Sequence, residues 1–194
     1  MQTIFNDPIT ISDEVRDDII LIQQYFVHRD NKRHNENLKC LDSNVKNDYI
    51  KKIYFLNERI YSKSEMNNIE SNKIEQVNIN KRLSYYDFFK FCKEKALSGY
   101  IIVANLDIFF NDTLVNLYKT TLSQRKSCFS QLRLEYPSKK IFGPRNDSQD
   151  AWIFHSKYLP QLSAIKKYDF MLGMPGCDNK IIHLLNSDGY KIYN

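Results

Sequence analysis

The triplet Asn105-Leu106-Asp107 closes the most apolar run of the chain, Tyr100-Ile101-Ile102-Val103-Ala104, and Asn57-Glu58 closes a second run from Ile50 to Leu56. Oxygen-bearing side chains just beyond strand ends lie where open α/β sheets bind their ligands. A carboxylate in that place, beside a helix N-terminus, can hold a divalent cation that bridges two phosphates. Mg2+ or Mn2+ bound with a nucleotide asks for hard oxygen donors and few protein contacts. Asp107 also suits the plainer role of a helix cap, where Asp is common. His28, His34, His155 and His183 show neither ligand nor triad spacing. Cys40, Cys92, Cys128 and Cys177 form no CxxC pair and read as buried thiols of a reducing compartment.

These residues need a frame. Ile19 to Phe26 has the length of a buried strand. Leu38, Leu41 and Val45 recur at helical spacing within Lys32 to Asn47. Ile50 to Leu56 is a second strand, and Ile74 to Ile79 alternates as an edge-like third. Ser84 with Asp87 opens a helix whose inner face is Tyr85, Phe88, Phe89, Cys92 and Ala96, with Gly99 as its stop. Tyr100 to Ala104 is a strand, and Asn111-Asp112-Thr113 caps a helix carrying Leu114, Leu117, Tyr118 and Leu122. Ser127 to Glu135 and Ala151 to Phe154 read as strands around a Pro/Gly-rich loop. Cys177 to Ser187 is a last helix, closed by Gly189 and followed by a short strand from Tyr190 to Tyr193. Such alternation predicts a mixed, mostly parallel sheet flanked by helices.

The 194 residues suit one domain spanning 1–194, with 1–16 as a loosely docked arm. An apolar fraction of 42% supports a core and excludes a disordered chain. The net charge of +5 fits an anionic ligand or simply a basic solvated surface. No Lys/Arg run is long enough for a nucleic-acid tail, so no specific nucleic-acid partner is expected. No stretch approaches the roughly 20 apolar residues of a membrane span, and no signal-peptide pattern opens the chain. The expectation is a soluble, cytoplasmic protein.

Three segments, Asn105 to Phe110, Ser148 to Phe154 and Pro175 to Asn179, occur in an order that resembles GT-A-type glycosyltransferases. The likeness is to small viral (chlorovirus-like) and bacterial domains with a DxD motif, and it runs from Ile19 onward. It implies a GT-A-like α/β fold, a nucleotide-diphosphate sugar (UDP- or GDP-type) as donor and a carbohydrate or glycan acceptor. It implies a divalent metal, Mn2+ or Mg2+, at Asp107. Asn105 stands at the first DxD position, which faces ribose or sugar, and its neutral side chain weakens metal affinity. Asp178 matches the general base of inverting enzymes, with Asp150 as its rival or as a sugar ligand. Trp152 and Phe154 could stack on a sugar face, although a Trp in such a place is more often a core residue than a sugar platform. Arg82, Arg133 and Arg145, in that order, would neutralise the departing diphosphate. The loop from Gly173 to Gly176 would let backbone approach the sugar. The chain departs from the pattern in one respect: the late metal-binding His is missing, and His183 lies within a helix. Either Asp107 holds the metal with waters and phosphates, or the chain is a fragment.

Two other classes stay open. A nucleotidyltransferase would also use a metal and a nucleotide, but it would carry a Gly-rich phosphate loop after Phe26, and none is present. A non-catalytic partner or nucleic-acid-binding module that keeps the fold and has lost turnover is the other.

Overall fold

The computed structural model describes residues 16–141, 143 and 149–194. Most of the expected arm, residues 1–15, lies outside them, as does Arg145. The chain runs β1 (Ile19–Gln23), α1 (Asn31–Lys46), β2 (Ile50–Asn57), β3 (Ile74–Asn78), α2 (Tyr85–Glu94), β4 (Tyr100–Ala104) and β5 (Ser127–Gln131). A two-stranded ribbon follows, β6 (Leu134–Glu135) with β7 (Lys140–Ile141), and then β8 (Ala151–His155), α3 (Cys177–Ser187) and β9 (Lys191–Tyr193). Seven strands form one sheet in the order β3-β2-β1-β4-β8-β5-β9. Every pairing is parallel except those of β8, which is antiparallel to both β4 and β5.

Every residue of β1, β4 and β8 is buried, because helices cover both faces of the sheet. Successive side chains of β1 and β4 enter opposite cores. Ile20, Ile22, Ile101 and Val103 share one with Phe88 and Phe89 of α2 and Ile181 and Leu185 of α3. Ile19, Leu21, Tyr100 and Ile102 share the other with Leu41 of α1 and with Leu114 and Leu117. α2 starts where expected: Ser84 Oγ accepts from Asp87 N (3.1 Å), and the Asp87 carboxylate accepts from Ser84 N (3.3 Å). α1 is capped by the side chain of Asp30, and β3 lies at the sheet edge. All four cysteines are buried and free. Among the described residues no helix is long and apolar enough to cross a membrane.

Several expectations are corrected. β1 stops at Gln23 and β5 at Gln131, each short of the run that the sequence suggests. α2 ends at Glu94, well before Gly99; Ala96 is exposed, and its left-handed φ of 52° leads the chain out of the helix. Gly99 instead lies against the backbone of Asp18, where no side chain fits. The segment Asp112–Lys119 is a 3-10 helix, capped by Asn111 as expected. Trp152 and Phe154 are 0% and 1% exposed, so they are core residues and no sugar can stack on them.

Candidate functional site

The reversed direction of β8 builds the site. Asp150 stands just before β8 and Asn105 just after β4, so antiparallel pairing of Ala104 with Ala151 sets them side by side. Asn105 N donates to Asp150 O (3.0 Å), and Asn105 Nδ2 donates to Asp150 Oδ1 (3.1 Å). Arg133, just past β5, donates from Nη1 to Asp150 Oδ2 (3.1 Å) and from Nε to Glu135 (2.9 Å). Both Asp150 oxygens are thereby engaged, and each keeps a second lone pair.

Gly173 comes down on the same spot. A Cβ there would stand 3.1 Å from Asn105 Oδ1 and 3.7 Å from Arg82 Nη2, and φ is +67°. Its loop is fastened by Leu172 N to Leu83 O (3.0 Å) and Tyr85 N to Phe170 O (3.1 Å). Arg82, exposed, donates to Leu172 O and Gly173 O (3.3 and 3.4 Å). Asp178 sits half-buried in the first turn of α3, a favourable place for a negative charge. Its Oδ2 accepts from Gln149 N (3.3 Å) and its Oδ1 from Cys177 Sγ (3.4 Å). Asp178 is thus tied to the residue that precedes Asp150.

Asp107 reaches solvent, but protein crowds one side of it. Its carboxyl is held above the usual carboxylate range, first by desolvation and second by the charge of Asp150; Arg133 and Arg33 offset this in part. A cation beside these acids would relieve that repulsion. Among the described residues no three His, Cys, Asp or Glu side chains gather as a metal cluster. Asp107 and Asp150 are hard oxygen donors of the kind that Mg2+ or Mn2+ takes, without an all-protein cage among the described residues.

The raised Asp107 pKa has a stability consequence. An acid whose folded pKa lies above its unfolded value costs stability once pH rises through that range. Asp107→Asn is therefore expected to raise the metal-free melting temperature at neutral pH and to leave it nearly unchanged at about pH 3, below both pKa values, as read by calorimetry under both conditions. An equal shift in both would remove the electrostatic explanation.

The structure brings Asn105, Asp107, Asp150, Arg133, Arg82 and Asp178 to one end of the sheet. Asn57 and Glu58 close β2 at the same end of the sheet, two strands over from β4. Asn57 is fully buried, its Oδ1 accepting from Tyr25 N (2.8 Å) and its Nδ2 donating to Gln76 (3.0 Å), so it shapes the loop after β1. Glu58 is exposed just past the end of β2, a strand that β1 separates from β4 by about 10 Å. Sequence reasoning missed Gln23, which is fully buried and donates from Nε2 to Asn105 O (2.7 Å). An amide closing an otherwise apolar strand was its one signal. It also missed Gln149, 4% exposed, which had no signal apart from its neighbour Asp150.

The sheet, mostly parallel with β8 reversed inside it, defines the fold of the nucleotide-diphospho-sugar transferases. No protein-family model and no curated protein matches the chain. Solved structures do. A putative nucleotide-diphospho-sugar transferase from Desulfovibrio desulfuricans superposes with a TM-score of 0.55 at 9% identity, over 90% of this chain and 78% of that one. The mannosyltransferase of Pyrobaculum calidifontis, solved with GDP-Man and Mn2+, gives 0.55 at 10% identity, over 97% of this chain and 58% of that one. The 4-diphosphocytidyl-2C-methyl-D-erythritol synthase of Anaerococcus prevotii gives 0.52 at 12% identity, over 92% and 86%. At such identities the likeness is one of fold, and that fold serves both sugar transfer and nucleotidyl transfer.

Proposed function

We propose that the chain is a glycosyltransferase that moves a sugar from a UDP- or GDP-type donor to an acceptor hydroxyl with inversion. The observation that carries this reading is the convergence of Asp107, Asp150, Arg133, Arg82 and Asp178 around Asn105 and Gly173. A Mn2+ or Mg2+ ion held by Asp107 and Asp150 would supply charge neutralisation for the donor diphosphate; a neighbour of the same fold was solved with GDP-Man and Mn2+. Asp178 takes the proton of the acceptor hydroxyl. The oxygen forms a bond to the anomeric carbon, and the bond from that carbon to the diphosphate breaks, its electron pair leaving with the nucleoside diphosphate. Arg82 and Arg133 face the charge that develops there. We assign Asp150 the anchoring role, because its ion pair with Arg133 and its hydrogen bond from Asn105 tie it into the framework of the site.

The shared fold makes nucleotidyl transfer the natural competitor. One feature of the chain disfavours it. The turn between β1 and α1 has no glycine, and the N-terminus of α1 is filled by Asp30, whose Oδ1 accepts from Arg33 N (3.0 Å). The chain's own acid thus stands where a phosphate would seek backbone N–H groups. The two readings differ in product. Incubation with sugar nucleotides, Mn2+ and glycoside acceptors is expected to release nucleoside diphosphate. Release of pyrophosphate from CTP and a sugar phosphate, with no nucleoside diphosphate formed, would transfer the chain to the other class.

A further inference from the structure

Exposed apolar side chains gather at one end of the molecule. Of the large hydrophobics exposed among the described residues, all but Leu162 lie on segments beyond the C-terminal ends of the parallel strands, the end that carries the acidic cluster. Surface apolar groups are ordinary when scattered and informative when clustered and rimmed by charge. Within this rim two rings meet from different segments. Phe109, 38% exposed, follows closely on Asp107; Tyr136, 77% exposed, follows closely on Arg133. Their centroids are 5.8 Å apart and their planes lie at 79°. One ring is a floor and the other a wall, and the segment behind each leads back to a charged group of the site.

We propose that Phe109 and Tyr136 form the acceptor subsite, and that its occupant is a pyranose. The proposal rests on the reading of the cluster as a sugar-transfer centre. A pyranose has a flat C–H face for an aromatic ring and hydroxyls on its edges for carboxylates and guanidinium groups. A right-angled aromatic corner on the segments that carry Asp107 and Arg133 offers both. Trp152 and Phe154, the aromatic residues that the sequence suggested for this task, are inside the core.

The test is saturation-transfer NMR of the intact chain with methyl glycosides of glucose, galactose, mannose and N-acetylglucosamine, with UDP or GDP and Mn2+ present. Nucleotide binding is followed in the same samples. At least one glycoside is expected to receive saturation, concentrated on the protons of one ring face. Phe109→Ala and Tyr136→Ala should each weaken its binding about tenfold, roughly 1.4 kcal/mol, while nucleotide binding holds. Tyr136→Phe, which keeps the ring, should retain it. Both side chains are exposed, so the alanine variants should fold. Glycoside binding undiminished in both alanine variants overturns the proposal. So does nucleotide binding without any glycoside, or capture of the wild type by phosphatidylcholine vesicles that the alanine variants lose. Failure of the wild type to bind nucleotide as well would sink the transferase reading along with it.

Discussion

Asp178→Asn is expected to lower the rate of sugar transfer by about 10²- to 10⁴-fold and to leave donor affinity unchanged, the range that a positioned general base contributes. The substitution keeps the shape of the side chain and an oxygen that can accept from Gln149 N, so the local geometry should persist. Loss of the charge from the first turn of α3 should itself cost about 0.3–1 kcal/mol of stability. Asp150→Asn should behave differently. It removes the charge that pairs with Arg133 and repels Asp107, so it should weaken metal-dependent donor binding. Steady-state kinetics on both variants separates the roles. A large fall in kcat with intact donor binding for Asp150→Asn, and a small one for Asp178→Asn, would exchange the assignments.

Gly99→Ala should destabilise the fold strongly. The added Cβ would stand 2.2 Å from Asp18 O and 2.9 Å from Asp18 N, both backbone atoms, and φ is +101°. Neither neighbour can yield cheaply, because Asp18 O accepts from Tyr100 N (2.8 Å) and Gly99 O accepts from Ser156 N (2.9 Å). Backbone strain and steric displacement together should cost roughly 3–5 kcal/mol. Urea unfolding of the purified variant measures it, and a loss below about 1 kcal/mol, the low end of such strain, would mean that the chain has a slack entry to β4. Gly99 lies at the end of the sheet opposite the acidic cluster, so the effect should fall on stability.

The elements legible in the sequence are those whose signal is local. β1 and β4 are continuous apolar runs, which only burial on both faces allows. The Ser84–Asp87 capping box and the boundaries of α3 are written in neighbouring residues. What depends on tertiary placement is not legible. Gly99 resembles a helix stop by spacing, yet the helix unwinds earlier, and the glycine answers a close approach to the backbone of Asp18, remote in the chain. The aromatic residues of β8 lean toward a core in sequence but leave a ligand role open, and the two covering layers decide for the core. The carboxamide of Asn57 reads as a ligand oxygen until Tyr25 and Gln76 are seen to take it. The acids of the site are legible through the order of three segments. Their hydrogen-bonded network is not, because it depends on β8 running against its neighbours.

The proposed transfer depends on a donor site at Asp107 that needs a cation. Thermal unfolding of the wild type and Asp107→Ala, with UDP- and GDP-sugars and with or without Mn2+, tests it most directly. A ligand at about 100 times its Kd adds roughly 2.7 kcal/mol, which for a chain of this size is a rise of about 5–10 °C. That rise is expected in the wild type with one class of sugar nucleotide and Mn2+ together. Almost none is expected with either alone, and none in Asp107→Ala. Because Asp107 must lose its proton to bind the cation, the rise should shrink as pH falls through its elevated pKa. A full rise without metal, or an undiminished one in Asp107→Ala, would contradict the account.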